Sequence, residues 1–189
     1  MKGILTDRNL IISLIAIQLL ICLPFVSSYS IDLDEPFSIF YAQQELSEFI
    51  PFMTDGNNPP LYFILLHYWM EIFGSDPFAV RAMSLLFSLL SIVFLFKFGK
   101  KMGGYQLALV VCGLFIFSTY NHYYAIEARM YSLVVMLCIM SIYFLHRILL
   151  ESKVNSWILF AVVNALLFYT HYLAPFIIGV ELLVVLVFF

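Results

Sequence analysis

Apolar runs as long as a bilayer is thick constrain this chain more than any other feature. Residues 10–26 form an almost unbroken apolar stretch behind Lys2 and Arg8, long enough with its flanks to cross about 30 Å of hydrocarbon. Further runs follow over 78–98, 105–120, 130–149, 157–169 and 175–189. Hydrocarbon offers the backbone no hydrogen bonds, so such segments satisfy their amides internally as helices. The expected fold class is therefore an all-α polytopic membrane protein. Composition agrees, with 63% of residues hydrophobic and 11% charged, where soluble domains run closer to half and a quarter. A soluble domain and a disordered chain are both excluded.

Residues 26–28 (Val-Ser-Ser) loosely resemble a signal-peptide cleavage site. An uncleaved first span is the preferred reading, because its apolar core is long and many spans follow. Cys22, Cys112 and Cys138 lie far apart inside apolar runs and read as small buried hydrophobes. No basic cluster or glycine-rich phosphate loop points to nucleic acid or nucleotide.

Charge sets the expected orientation. Lys97, Lys100 and Lys101 close the 78–98 run, and lysine-rich short loops stay cytoplasmic. For Lys2 and Arg8 to share that side, the short apolar segment 61–73 must not cross. It is expected to lie in the outer interface, with Tyr62, His67, Tyr68 and Trp69 among the headgroups. Asn58 is expected to cap it ahead of Pro59-Pro60, after a turn over 54–58, and 36–49 offers a short surface helix. The expected organisation is a cytoplasmic N-terminus and first span over 1–27, an extracytoplasmic loop with juxtamembrane helices over 28–77, and further spans over 78–189. The run 175–189 reads as an incomplete span, which suggests the front part of a longer polytopic protein.

In this topology the polar residues gather outside. Asp32, Asp34 and Glu35 sit behind the first span, 120–131 carries His122, Glu127 and Arg129, and 169–172 (Tyr-Thr-His-Tyr) carries His171. Ionisable residues near membrane depth lean functional. Glu127 and Arg129, at i and i+2, would not face each other on a helix, whereas Glu127 and Tyr131 would share a face. A surface acid and base at a turn, and an interfacial histidine bonded to backbone, are the plainer alternatives. Arg81 is a candidate anion or headgroup binder, and His122 a weaker site residue. Glu181 and Asn164 lie within spans, where a helix partner is as good an explanation as catalysis.

Five stretches in register now carry a resemblance: 33–38 (Leu-Asp-Glu-x-x-Ser), 58–62 (Asn-Pro-Pro-Leu-Tyr) with 67–69 (His-Tyr-Trp), 78–81 (Phe-Ala-Val-Arg), 127–133 (Glu-Ala-Arg-Met-Tyr-Ser-Leu) and 169–172. Together they resemble the protein O-mannosyltransferase-like membrane glycosyltransferases (family 39) of the GT-C superfamily, over about residues 28 to 189. The resemblance implies a GT-C-type helix bundle with juxtamembrane helices in its first extracytoplasmic loop; a plasma membrane is the preferred location. It also implies an inverting transfer of a hexose or pentose from a polyprenyl-phosphate sugar to an extracytoplasmic protein or glycolipid acceptor. The family's Asp-Glu pair falls on Asp34 and Glu35, with Asp34 the base or the carboxylate orienting the acceptor. Glu127 would position acceptor or base, or help hold a divalent cation. Arg129 would counter charge on the leaving lipid phosphate, with His171 bonding the same group, and Arg81, Tyr131 and His122 would complete the binding set. A divalent metal stays open, because a hard cation needs several oxygen ligands and no dedicated cage is visible. The rivals are a transporter component, which would hold its ionisable groups near the midplane, and a non-catalytic fragment or partner subunit.

Overall fold

The structure, a computed structural model, describes residues 6–28, 31, 34–45, 47 and 59–189. Among these, the regular elements are all helices: α1 (Asp7–Val26), α2 (Glu35–Ala42), α3 (Leu61–Phe73), α4 (Pro77–Ile116), α5 (Thr119–Ala125), α6 (Tyr131–Glu151), α7 (Val154–Phe168) and α8 (Ala174–Phe188). Asp32, the 54–58 turn and the expected Asn58 cap lie outside the described residues. Pro60 holds the cap position of α3 instead.

Helices α1, α4 and α6 are long and apolar enough to span a membrane. Their packing is that of a protein solvated by lipid. Leu20, Leu114, Leu186 and Val187 face outward at 70% exposure or more, while Gln18, Ser88, Ser141, Asn164 and Glu181 are buried. Polar groups inside and aliphatic groups outside suit a solvent as apolar as leucine, where small and polar residues join the helices. The main core is built by α3, α4, α6 and α7, with Phe63, Leu66, Met83, Leu137, Ile148 and Leu167 among its buried members.

Helix α4 is two antiparallel arms rather than one rod. Gly103 (φ −151°, ψ 25°) and Gly104 (φ 72°, ψ −165°) leave helical dihedrals, and the chain turns back on itself there. Gly104 needs the left-handed region that L side chains avoid. The arms then approach so closely that a Cβ on Gly99 would fall 2.8 Å from the Ala108 Cα. The return arm stops at Ile116, short of the expected residue 120, because Ser118 breaks it and caps α5 by accepting from the Asn121 amide.

Ion pairs mark the two ends of the bundle. At one end, Asp7 of α1 meets Lys100 at 2.7 Å beside the α4 turn, and Lys101 and Lys153 both pair with Glu151 at the end of α6. At the other end, the last turn of α1, α2, the start of α4 and the 126–130 turn come together around Arg81 and Glu35. Both ends of α3 belong to that second end. Its Leu61 amide donates to the Tyr169 carbonyl (3.0 Å), and its Trp69 indole donates to the Ala79 carbonyl (2.8 Å) in the first turn of α4. Tyr62 is fully buried there, not placed among headgroups, whereas Tyr68 is half exposed.

Candidate active site

The site is built on one buried ion pair. Glu35, in the first turn of α2, takes the Arg81 guanidinium on both oxygens (Nε to Oε1 2.8 Å, Nη2 to Oε2 2.6 Å). A bidentate fork of this kind adds geometric definition to its charge–charge attraction. Arg81 also donates to the Val26 carbonyl at 3.0 Å, which ties the end of α1 to the pair. Glu35 Oε1 accepts a further hydrogen bond from the Ala128 amide at 2.8 Å. Both side chains are about 95% buried or more, so removing either leaves an uncompensated charge. In place of the anion contact expected for Arg81, the structure gives its guanidinium to Glu35. Glu35 in turn is a clamp between α2, α4 and the 126–130 turn.

That turn is not helical. The Arg129 amide donates to the Glu127 carbonyl at 2.8 Å, a tight local bend, so the helical pairing of Glu127 with Tyr131 does not arise. The bend lets the Ala128 amide reach Glu35 while Glu127 and Arg129 both turn inward, at 9% and 6% exposure. Arg129 donates from Nη1 to Ser38 Oγ (3.3 Å), lies 3.4 Å from Asp34 Oδ2, and sits against the rings of Phe37 and Tyr131 (each 5.9 Å). Its Nε is buried with no hydrogen-bond partner, as is Glu127 Oε2. Buried polar atoms are normally satisfied, so an unmatched donor and an unmatched acceptor on the same turn suit a site that completes its bonds with a ligand.

Asp34 heads α2 without capping it, and its carboxylate is 68% exposed. His171, in the turn between α7 and α8, accepts from the Leu173 amide on Nδ1 at 3.2 Å, which leaves its proton on Nε2. Its ring stacks on Tyr172 and faces Tyr131 at 6.2 Å. Burial, then the charge of Arg129, hold His171 below the usual histidine range, so it is neutral at pH 7. Glu127 moves the other way. Burial first, then the Glu35 carboxylate, push it up to about 7 against the opposing pull of Arg129.

Asp34, Glu35, Arg81, Glu127, Arg129, Tyr131 and His171 thus meet at one end of the bundle. His122 points elsewhere, with Cys22 Sγ at 3.6 Å and the Phe25 ring at 5.2 Å on the α1 side. Sequence reasoning missed three participants. Ser38 binds Arg129, Ser84 donates to the Arg129 carbonyl (3.4 Å), and fully buried Tyr62 lies within electrostatic reach of Arg129, Glu35 and Glu127. Ser38 and Tyr62 stand inside the quoted 33–38 and 58–62 stretches, which was the available signal. No group of three or more metal-ligating side chains occurs among the described residues.

An all-helical bundle with an apolar exterior, and with acids, arginines and a histidine collected at one end, defines a multi-pass membrane protein with a polar site at a helix-end surface. Residues 57–189 match the family model of dolichyl-phosphate-mannose-protein mannosyltransferases. The chain belongs to that family, and is a glycosyltransferase of the GT-C kind. The matched segment contains Arg81, Glu127, Arg129 and His171, whereas Asp34 and Glu35 precede it. No curated protein and no solved structure matches the chain.

Proposed function

We propose that the protein transfers a hexosyl group, a mannosyl on the family's description, from a polyprenyl-phosphate donor to an acceptor hydroxyl outside the cytoplasm, with inversion. The observation that carries the reading is the Asp34–Arg129–Glu127 arrangement: an accessible carboxylate, a buried guanidinium with an unmatched N–H, and a buried acid with an unmatched oxygen. In the proposed step the acceptor oxygen attacks the anomeric carbon and its proton passes to Asp34. The bond from that carbon to the phosphate oxygen breaks on the opposite face, and the electron pair leaves with the lipid phosphate. Arg129, held in place by Ser38, neutralises the charge growing there, and a fixed cation acts most strongly in a site of low dielectric. The Nε2–H of His171 donates to the same group. Glu127 orients the acceptor hydroxyl, and Tyr131 packs beside Arg129. Glu35 and Arg81 act as positioning residues through the Ala128 amide.

The test is transfer of labelled sugar from polyprenyl-phosphate-mannose in membranes carrying the protein. Asp34→Asn is expected to lower turnover by about 10²–10⁴ while donor binding is kept. Arg129→Gln is expected to weaken donor binding as well. Full turnover in Asp34→Asn would remove Asp34 from the base role.

A further inference from the structure

Helix α8 turns most of its length outward, with Phe176, Val180, Leu186 and Val187 exposed. Its buried residues are Ala174 and Glu181, seven positions and so about two turns apart on one face. Ile177, Ile178, Val184 and Val185 extend that face with partial burial. Apolar contacts hold such a helix weakly, because lipid offers it the same contacts. Its polar contact is better defined. Ser141 of α6 donates to Glu181 Oε2 at 2.8 Å, and the same hydroxyl accepts from Asn164 Nδ2 of α7 at 2.8 Å. Asn164 Nδ2 also donates to the Phe160 carbonyl at 3.1 Å. One serine oxygen thus joins three helices. Glu181 and Asn164 are 4% and 7% exposed, and Glu181 Oε1 and Asn164 Oδ1 have no partner. Burying such groups is costly, and their best-attested use is to fix the register of one helix against others.

What this register controls is found at the head of α8. Leu173, the residue that caps the helix, donates its amide to His171 Nδ1 at 3.2 Å, and the Ala174 amide donates to the His171 carbonyl at 3.0 Å. The first of these bonds decides which ring nitrogen of His171 keeps the proton. Glu181 lies eight residues beyond Leu173 on the same helix, roughly 12 Å along it. A rotation of α8 about its axis would carry the Leu173 amide away from Nδ1 and turn the ring with it. The contact that prevents the rotation therefore also aims the ring.

We infer that Glu181 is a positioning residue for His171. Through Ser141 and Asn164 it sets the rotation of α8, and through the Leu173 amide that rotation directs the His171 Nε2–H. The inference rests on the donor reading above for what His171 binds, and adds to it what holds His171 in place. Glu181→Leu removes the polar contact from α8, and Ser141→Ala removes it from α6 with little change in volume. Glu181→Gln keeps an acceptor for Ser141 and offers an N–H to the unmatched Asn164 Oδ1.

The experiment uses the whole protein in nanodiscs, with isotope-labelled histidine for ring-nitrogen NMR and polyprenyl phosphate as the ligand. The chain has four histidines, and the His171 signals are assigned by their loss in His171→Gln. Glu181→Leu is expected to shift those signals, leave the signals of His67 and His122 in place, and weaken polyprenyl phosphate binding by about fivefold. Ser141→Ala is expected to act in the same direction, and Glu181→Gln to restore both readings. In a His171→Gln background, Glu181→Leu is expected to cost no further affinity, because the two changes act on one contact. Unmoved His171 signals in both Glu181→Leu and Ser141→Ala would overturn the inference. So would a loss of affinity that persists undiminished in the His171→Gln background, since it would not pass through His171. Shifted His171 signals beside unchanged affinity in His171→Gln would keep the role of Glu181 and remove His171 from the donor site.

Discussion

Glu127 is surrounded so that ordinary pH decides its charge. Its carboxyl titrates near 7 in the folded protein, against about 4.5 for an unhindered glutamate. A raised carboxyl contributes stability that is fully present below about 4.5 and is lost as pH rises through 7, because ionisation then costs more in the fold than outside it. Glu127→Gln removes that cost. Thermal unfolding in detergent should show the variant more stable than wild type at pH 8, by roughly 3 kcal/mol, with no gain at pH 4.5. Equal stabilities at pH 8 would mean that Glu127 is better solvated, or better paired, than its buried position indicates. Its neighbour Asp34 is of the same residue class but stands at the surface, and that difference in environment underlies the two roles proposed for them.

At the scale of elements, the α4 turn is where local backbone chemistry decides the packing. Gly104 adopts dihedrals that only glycine takes without strain, and Gly99 is the point of closest approach to Ala108. Gly104→Ala or Gly99→Val should each lower stability by about 1–3 kcal/mol, read as a fall in the detergent melting temperature. An unchanged melting temperature in both would mean that the arms do not close as described. Helices α1 and α6 and the two arms of α4 were legible from their apolar runs, with Lys97, Lys100 and Lys101 closing the first arm. The break after Ile116 was not legible, because Ser118 sits in an apolar context and its capping role depends on the Asn121 amide. A turn around Glu127 and Arg129 was one of the readings left open, beside a helical one. Nothing local forbids a helix there, and the tertiary bond from the Ala128 amide to Glu35 pulls the backbone out of one.

For the whole molecule, segregation of charge is the dominant pattern. Lysines cluster with Asp7 and Glu151 at one end, and the acid–arginine–histidine site occupies the other. If the bundle spans a bilayer with its lysines inside, an impermeant maleimide should label Tyr172→Cys on intact cells. It should reach Lys153→Cys only after permeabilisation, with Cys22, Cys112 and Cys138 replaced by alanine. Labelling of both from one side would sink the orientation. The gathering of the site was readable from sequence, since orientation alone brings the three polar loops to one end. Which residue holds which was not, because Arg81's attachment to Glu35 depends on an approach between α2 and α4 that no local pattern encodes.

Glu35 lies 46 positions before the arginine it holds and 93 before the amide it accepts from. A ribosome makes this chain N-terminus first, so Arg81 emerges well ahead of Ala128. Arg81 is therefore available to the carboxylate before the turn bearing Glu127 and Arg129 is. That turn follows, and His171 is translated later still. Translation order thus makes the most deeply buried ion pair available before the turn that packs against it.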